Sequence, residues 1–298
     1  MCIRDSNALN KTTINIKGGE ITATGGVSLD SRNHSDKWLS GAGIGSGSNV
    51  SGETEINISG DSTIKSASGG KYGGAGIGSG SYSGSKPNNQ KGAVTINITG
   101  GNIEKATGGG EYVPSSKRWY SGAGIGAGLN AGTTTINIKD NAHIVSATGG
   151  KYGGAGIGSG SGDTKNDSKK GAVTINITDG TIEKAEGKDG GAGIGSGYYG
   201  RSSTVNISGN AELKDVKGGN LAAGIGSGYD SGKVDVVIDG GTIKATGGDS
   251  AAGIGSGHNS RSSVTIKSGT VNATGNGTGA GIGGSDNNNC LLYTSDAA

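Results

Sequence analysis

The stretch that decides the fold is Gly41-Ala42-Gly43-Ile44-Gly45-Ser46-Gly47. With small edits it recurs at 74–80, 122–128, 154–160, 191–197, 222–228, 251–257 and 279–285, eight copies in one chain. Self-similarity at this spacing is the mark of stacked repeats. The only large side chain in each copy is an isoleucine: Ile44, Ile77, Ile125, Ile157, Ile194, Ile225, Ile254 and Ile282. On a strand, residues i and i+2 face the same way, so Ala42, Ile44 and Ser46 are expected on one face and glycines on the other. Glycine weakens an isolated strand. Its repetition therefore implies bare backbone under a flat second layer, or bends that only glycine tolerates. A phosphate-cradling loop is the rival reading, but no helical pattern follows, no Lys-Ser/Thr closes it, and eight copies exceed the need of one nucleotide.

Working outward, each copy is preceded by two further pieces. The first reads Thr13-Ile14-Asn15-Ile16, apolar inward and polar outward by period two, and returns at Ile56/Ile58, Ile96/Ile98, Ile136/Ile138, Ile175/Ile177, Val205/Ile207, Val236/Ile238 and Val264/Ile266. A turn rich in Gly, Asp and Asn follows, as at Gly18-Gly19 and Asp140-Asn141. The second piece carries Ile21, Ile64, Ile103, Ile144, Ile182, Leu213, Ile243 and Val271. From Ile21 to the inward Ala23 is two residues, but from Ile64 to Ala67 it is three, which predicts a bulge in the middle repeats.

Three short strands whose inward positions are aliphatic must cover one another repeat by repeat. The fold expected is all-β, a single parallel β-solenoid (right-handed by the crossover rule) of about eight rungs spaced about 4.8 Å apart. A β-propeller is the rival, and its four-stranded blades and their signatures are missing from the sequence. Insertions fall at two corners: 27–40 and 110–121 before the glycine motif, 81–92 and 161–171 after it. The alternation is expected to set bulky loops two rungs apart on each corner, where solenoids carry function.

The ends do not match the repeats. Met1-Cys2-Ile3-Arg4-Asp5 and Cys290-Leu291-Leu292-Tyr293-Thr294-Ser295 can be encoded by reverse-complementary DNA, as in a sequencing-library transposon adapter. Residues 1–6 and 290–298 are accordingly expected to be adapter-derived, with 7–289 the solenoid and its native caps, signal peptide and anchor lying beyond the sequence. The other reading is a real terminal pair bridged by Cys2–Cys290. Between the ends the chain has no cysteine, and a formal net charge of +2 argues against a dedicated nucleic-acid surface. No run is long and apolar enough to cross a bilayer, so no membrane insertion is expected.

Candidate binding residues come from rows of aromatics. Trp38, Tyr72, Trp119 and Tyr152 lie just before the glycine motif in rungs 1–4 and are expected to align into a column. Tyr198, Tyr229 and His258 occupy the first position after it in rungs 5–7 and form a second column. Exposed aromatic rows suit flat sugar faces; the alternative is loop ends packing on a corner. The outward row Asn15, Asn57, Asn97, Asn137, Asn176 and Asn206 reads as a self-satisfying side-chain ladder in preference to a polysaccharide contact. His34, His143 and His258 stand at unrelated repeat positions. Asp179 and Asp239 sit at turns where Ca²⁺ could bind, but the calcium nonapeptide pattern is missing, so no cofactor is expected. No break in the repeat gathers converging polar groups, and no enzyme is expected.

The unit TINI-x-GG-x-I-x-A-x-GG followed by GAGIGSG, over about 12–285, resembles the glycine-rich repeats of large bacterial cell-surface proteins, especially from gut Gram-positive species. These are described as adhesin-like or carbohydrate-binding-domain-containing. The resemblance implies a parallel β-helix, an extracellular or cell-surface location, and a polysaccharide or host glycan as partner. Two other readings stand beside it: a structural stalk that self-associates through its glycine face, and, more remotely, ice binding by the flat Thr/Asn rows.

Overall fold

The computed structural model describes residues 11–30, 37–82, 92–113, 118–162, 171–286 and 290–294. Eight rungs stack in parallel. The first strands are Thr12–Ile16, Thr54–Ile58, Val94–Ile98, Thr134–Ile138 and Val173–Ile177, followed by the leading parts of Ser203–Lys217, Val234–Thr246 and Ser262–Thr274. Their register sets like on like: Ile14, Ile56, Ile96, Ile136, Ile175, Val205, Val236 and Val264 form one column. Cys290–Thr294 adds one further parallel strand against Ser262–Thr274. Cys290 is a free thiol, and its expected alternative partner Cys2 lies outside the described residues.

The bulge in the second face is present. Glu20–Thr24 pairs with Thr63–Ser68 through a register shift after Ile21, so that Ala23 still meets Ala67. In rungs 3–5 the extra residue splits the second piece into two short strands, as in Asn102–Ile103 and Ala106–Thr107. The shift keeps both inward side chains in the core across rungs of unequal length. On the outer face the asparagines form an amide ladder. Each donates from Nδ2 to Oδ1 of the rung before, Asn57 to Asn15 at 2.9 Å and Asn97 to Asn57 and Asn137 to Asn97 at 2.8 Å. The run continues through Asn176 and Asn206 and ends where Val237 takes the place in rung 7. A slip by one residue would turn the asparagine off this face and break its bonds, so the ladder fixes register along the strand.

Of the two readings the alternation allows, the glycine motif takes the bend that only glycine tolerates and not the flat two-faced strand. Only Ile-Gly bridges to the next rung, as in Ile44–Gly45. The Ala42 N–H donates to the Ser46 carbonyl at 3.0 Å, and the same closure recurs in all eight copies, ending at Ala280 to Gly284. The motif is thus a tight inward loop with isoleucine at its tip. The glycine after the tip makes it possible: Gly158 has φ +139°, and a Cβ there would sit 1.9 Å from the carbonyl oxygen of Gly195 in the next rung. The tip isoleucines join the aliphatic core with the strand residues, whereas the buried alanines Ala75, Ala123 and Ala155 stay outside that cluster. Burying a side chain of this size contributes about 1.5–3 kcal/mol. The motif serines also turn out to be structural, since Oγ of Ser79 accepts from the Gly128 N–H at 2.8 Å and Oγ of Ser159 from Gly197 at 2.9 Å.

This geometry corrects two expectations. The motif glycines of rungs 2–7 are buried, packed on the second strand and the neighbouring loop. A Cβ on Gly76 would meet the Thr107 nitrogen and the Gly124 oxygen at 2.6 Å. The glycine face is therefore covered inside the coil and is no surface for a second copy. The two loop-bearing corners are also one edge of the solenoid. Closing the loop brings its two mouths together, and the Tyr198 N–H donates to the Gly153 carbonyl at 2.7 Å, Tyr229 to Gly190 at 2.8 Å and His258 to Leu221 at 2.9 Å. The insertions before the motif in rungs 1 and 3 are antiparallel hairpins, Val27–Asp30 with Lys37–Ser40 and Gly110–Val113 with Arg118–Ser121. Most of the other two insertions, 83–91 and 163–170, lies outside the described residues.

Candidate functional site: an aromatic groove on the loop edge

The column expected from Trp38, Tyr72, Trp119 and Tyr152 divides in two. Trp119 and Tyr120 are consecutive on a strand and point to opposite sides. It is Tyr120, 7% exposed, that turns to Tyr72, at 6.5 Å and edge-on, while Trp38 lies 4.7 Å from Tyr72 on the same ring. With Val113 and Leu129 these side chains make a second small core beneath the two hairpins. Tyr72 is only 4% exposed and so presents no face to a ligand; Lys71 lies over its ring at 4.7 Å, as Lys151 does over the less buried Tyr152 at 5.1 Å.

Trp119 goes outward. It is 43% exposed, lies 4.2 Å from Tyr112 across its hairpin and 4.5 Å from Tyr152 of rung 4. Tyr112 and Tyr120 were missed in the sequence. Counting back from the motif finds Tyr120, because it stands two residues before Gly122 as Tyr72 does before Gly74 and Tyr152 before Gly154. Tyr112 carries no such signal, since only hairpin pairing brings it to Trp119.

Tyr198, Tyr229 and His258 do form a column. The Tyr198 and Tyr229 rings are 5.3 Å apart and 3° from parallel, and His258 stacks on Tyr229 at 5.5 Å. Tyr199 packs against Tyr198 at 4.2 Å. Because the loop mouths adjoin, the two columns share one edge. Between them lies a groove of about 280 Å³ lined by Trp119, Tyr152, Asp189, Tyr198, Leu221 and Tyr229, with Gly190 and Asn220 completing the wall. Asp189 and Leu221 hold the turn with φ of 44° and 61°, a left-handed backbone that costs a non-glycine residue about 1–2 kcal/mol.

Burial among the rings pushes the Asp189 carboxyl above its ordinary range, against the pull of Lys151 and Lys188. Burial likewise raises the Tyr198 hydroxyl, helped by its hydrogen bond with Tyr199, and raises that of Tyr229. Both phenols therefore stay protonated near neutral pH, able to donate and accept hydrogen bonds, and the Asp189 carboxyl adds acceptor oxygens beside them.

The other expected positions have partners within the fold. Asp179 accepts from the Asn210 N–H at 2.9 Å, and Asp239 accepts from Ser268 at 3.1 Å. Among the described residues no three His, Cys, Asp or Glu side chains are grouped to hold a metal. His143 lies 3.3 Å from Glu183, and His34 lies outside the described residues.

Stacked parallel rungs closed by inner loops define the class, a parallel β-solenoid. Within it the chain belongs to the beta helix repeat family, whose profile matches residues 14–48, 56–81, 96–129, 175–198, 236–258 and 264–286, more than half of the chain. No curated protein and no solved structure gives a match.

Proposed function

We propose that this chain is a non-enzymatic, cell-surface or secreted repeat segment, adhesin-like, that binds carbohydrate weakly at the groove formed by Trp119, Tyr152, Tyr198 and Tyr229. The observation that supports it most is the groove itself: an indole 43% exposed facing a set of tyrosines, beside a carboxyl group, on the loop edge. Apolar ring faces match the C–H faces of sugars, and the phenols and Asp189 supply hydrogen-bond partners for hydroxyls. Trp38 and Tyr72, first grouped with these, belong to the hairpin core in this reading.

A glycan array probed with the wild type and with Trp119→Ala tests it. The expected result is a set of glycans bound by the wild type and lost in the variant, with unchanged circular dichroism. No glycan bound by folded protein, or the same set bound by Trp119→Ala, would refute the reading. The structural-stalk alternative gains from the self-stacked Tyr198, Tyr229 and His258 rings and the Asn ladder, which act within the fold. It does not account for the outward Trp119.

A further inference from the structure

The two ring sets are separated by a gap with a definite cause. Two residues before the glycine motif, rungs 2, 3 and 4 carry Tyr72, Tyr120 and Tyr152. In rungs 5 and 6 the same place holds Asp189 and Asn220, and both line the groove. Trp119 and Tyr152 therefore stand on one side, Tyr198 and Tyr229 on the other, and a ring is missing between them. We propose that this gap takes one uncharged sugar ring, the end or a side branch of a glycan, held between the two ring pairs with Asp189 accepting hydrogen bonds from its hydroxyls. The proposal rests on the carbohydrate reading above and adds the size, charge and placement of the ligand.

Three observations carry it. The first is size: about 280 Å³ lies just below the range of roughly 300–1,000 Å³ that holds drug-sized ligands. The second is that the rings do not continue as a platform. Beyond the gap Tyr198, Tyr229 and His258 cover one another face to face, and before it Tyr112 packs on Trp119. A polymer running along the axis would find edges where it needs faces. The third is charge. Among the described residues of the lining Asp189 is the charged one; of the cations that act on it, Lys188 is held by Glu186 at 2.6 Å and Lys151 lies over the Tyr152 ring at 5.1 Å. A carboxylate only accepts hydrogen bonds. Hydroxyls match it, while a uronate, sulfate or sialate would be repelled at short range in a partly desolvated site.

Calorimetry on the full chain separates this from its alternatives. The ligands are methyl glycosides of glucose, galactose and N-acetylglucosamine, their linear tetramers, and the matching methyl glucuronide and galacturonide. For the sugar that binds, the glycoside is expected within about threefold of its tetramer, and the acidic analogue about tenfold or more weaker. Asp189→Asn is expected to shrink that tenfold gap. Trp119→Ala and Gly190→Val are expected to abolish binding; at Gly190 a Cβ would already lie 2.7 Å from the Tyr198 ring.

Tetramers bound more than about tenfold tighter than glycosides would overturn the single-ring site in favour of an extended one. Equal binding of acidic and neutral sugars would overturn the role of Asp189. Binding that survives both groove variants would overturn the location while leaving the carbohydrate reading in place. Binding of N-acetyltyrosinamide and of no sugar would overturn both, in favour of a protein side chain as occupant.

Discussion

Replacing Ile157 by alanine should destabilise the protein far more than the same change at Ile282. Ile157 is fully buried at the tip of its inner loop, in register with Ile125 on one side and Ile194 on the other. The neighbouring rungs cannot close on a vacancy. The Ile157 N–H donates to the Gly193 carbonyl and the Ile125 N–H to Gly156, both at 3.0 Å, and these bonds set the rung spacing. A truncation that leaves a rigid cavity costs about 2–5 kcal/mol, and the fixed spacing places Ile157→Ala in the upper half of that range. Ile282 is only partly buried and pairs with Ile254 alone, so Ile282→Ala should cost about 1 kcal/mol. Urea midpoints of both variants beside the wild type give the comparison, and an unchanged slope confirms that stability and not compactness has moved. Equal losses at the two positions, or no shift at either, would refute the stacking of tip isoleucines as the core of the fold.

Three further outcomes follow from the site and its surroundings. Arg201 is 4% exposed and donates from Nη1 to the Gly132 carbonyl at 2.6 Å, tying rung 5 to rung 3, so Arg201→Met should cost about 1.5–3 kcal/mol in urea melts. Leu221→Gly should leave stability unchanged or raise it by up to about 1 kcal/mol, because it relieves left-handed strain at φ 61°, yet weaken glycan binding by removing a groove wall. The Asp189 carboxyl titrates above the usual 3.8, so its ionised form opposes folding; its own contribution to stability, read as wild type minus Asp189→Asn in melts across the acid range, should rise as pH falls through that raised value, against the loss expected from the lowered Glu55, Glu183 and Glu186 carboxyls. Sugar binding should fall over the same window, and Asp189→Asn should flatten that binding profile in calorimetry.

Much of the fold was legible because the residues that determine it repeat. Period-two alternation in TINI, the two- or three-residue gap to the inward alanine, and the asparagine row each follow from rung stacking, and each appears in register. For the glycine motif the alternation leaves two readings, bare backbone under a flat layer or bends that only glycine tolerates, and the positive φ at Gly45 and its equivalents bends the backbone into a loop. Composition signalled that freedom without saying where the chain would use it. The same bend joins the two corners, which is why two aromatic columns became one site. The split between Trp119 and Tyr120 depended on a single residue of phase, fixed by the hairpin pairing of Gly110–Val113 with Arg118–Ser121.

The most direct test of the groove as the carbohydrate site uses the chain's two tryptophans. Their indole N–H resonances can be assigned with Trp119→Phe, and then followed while a glycan selected on the array is titrated. Trp119 lines the groove, whereas Trp38 packs against Tyr72 in the hairpin core. The account requires the Trp119 resonance to move saturably with the Trp38 resonance unchanged. A saturating glycan that leaves Trp119 in place, or that shifts Trp38 instead, would contradict it.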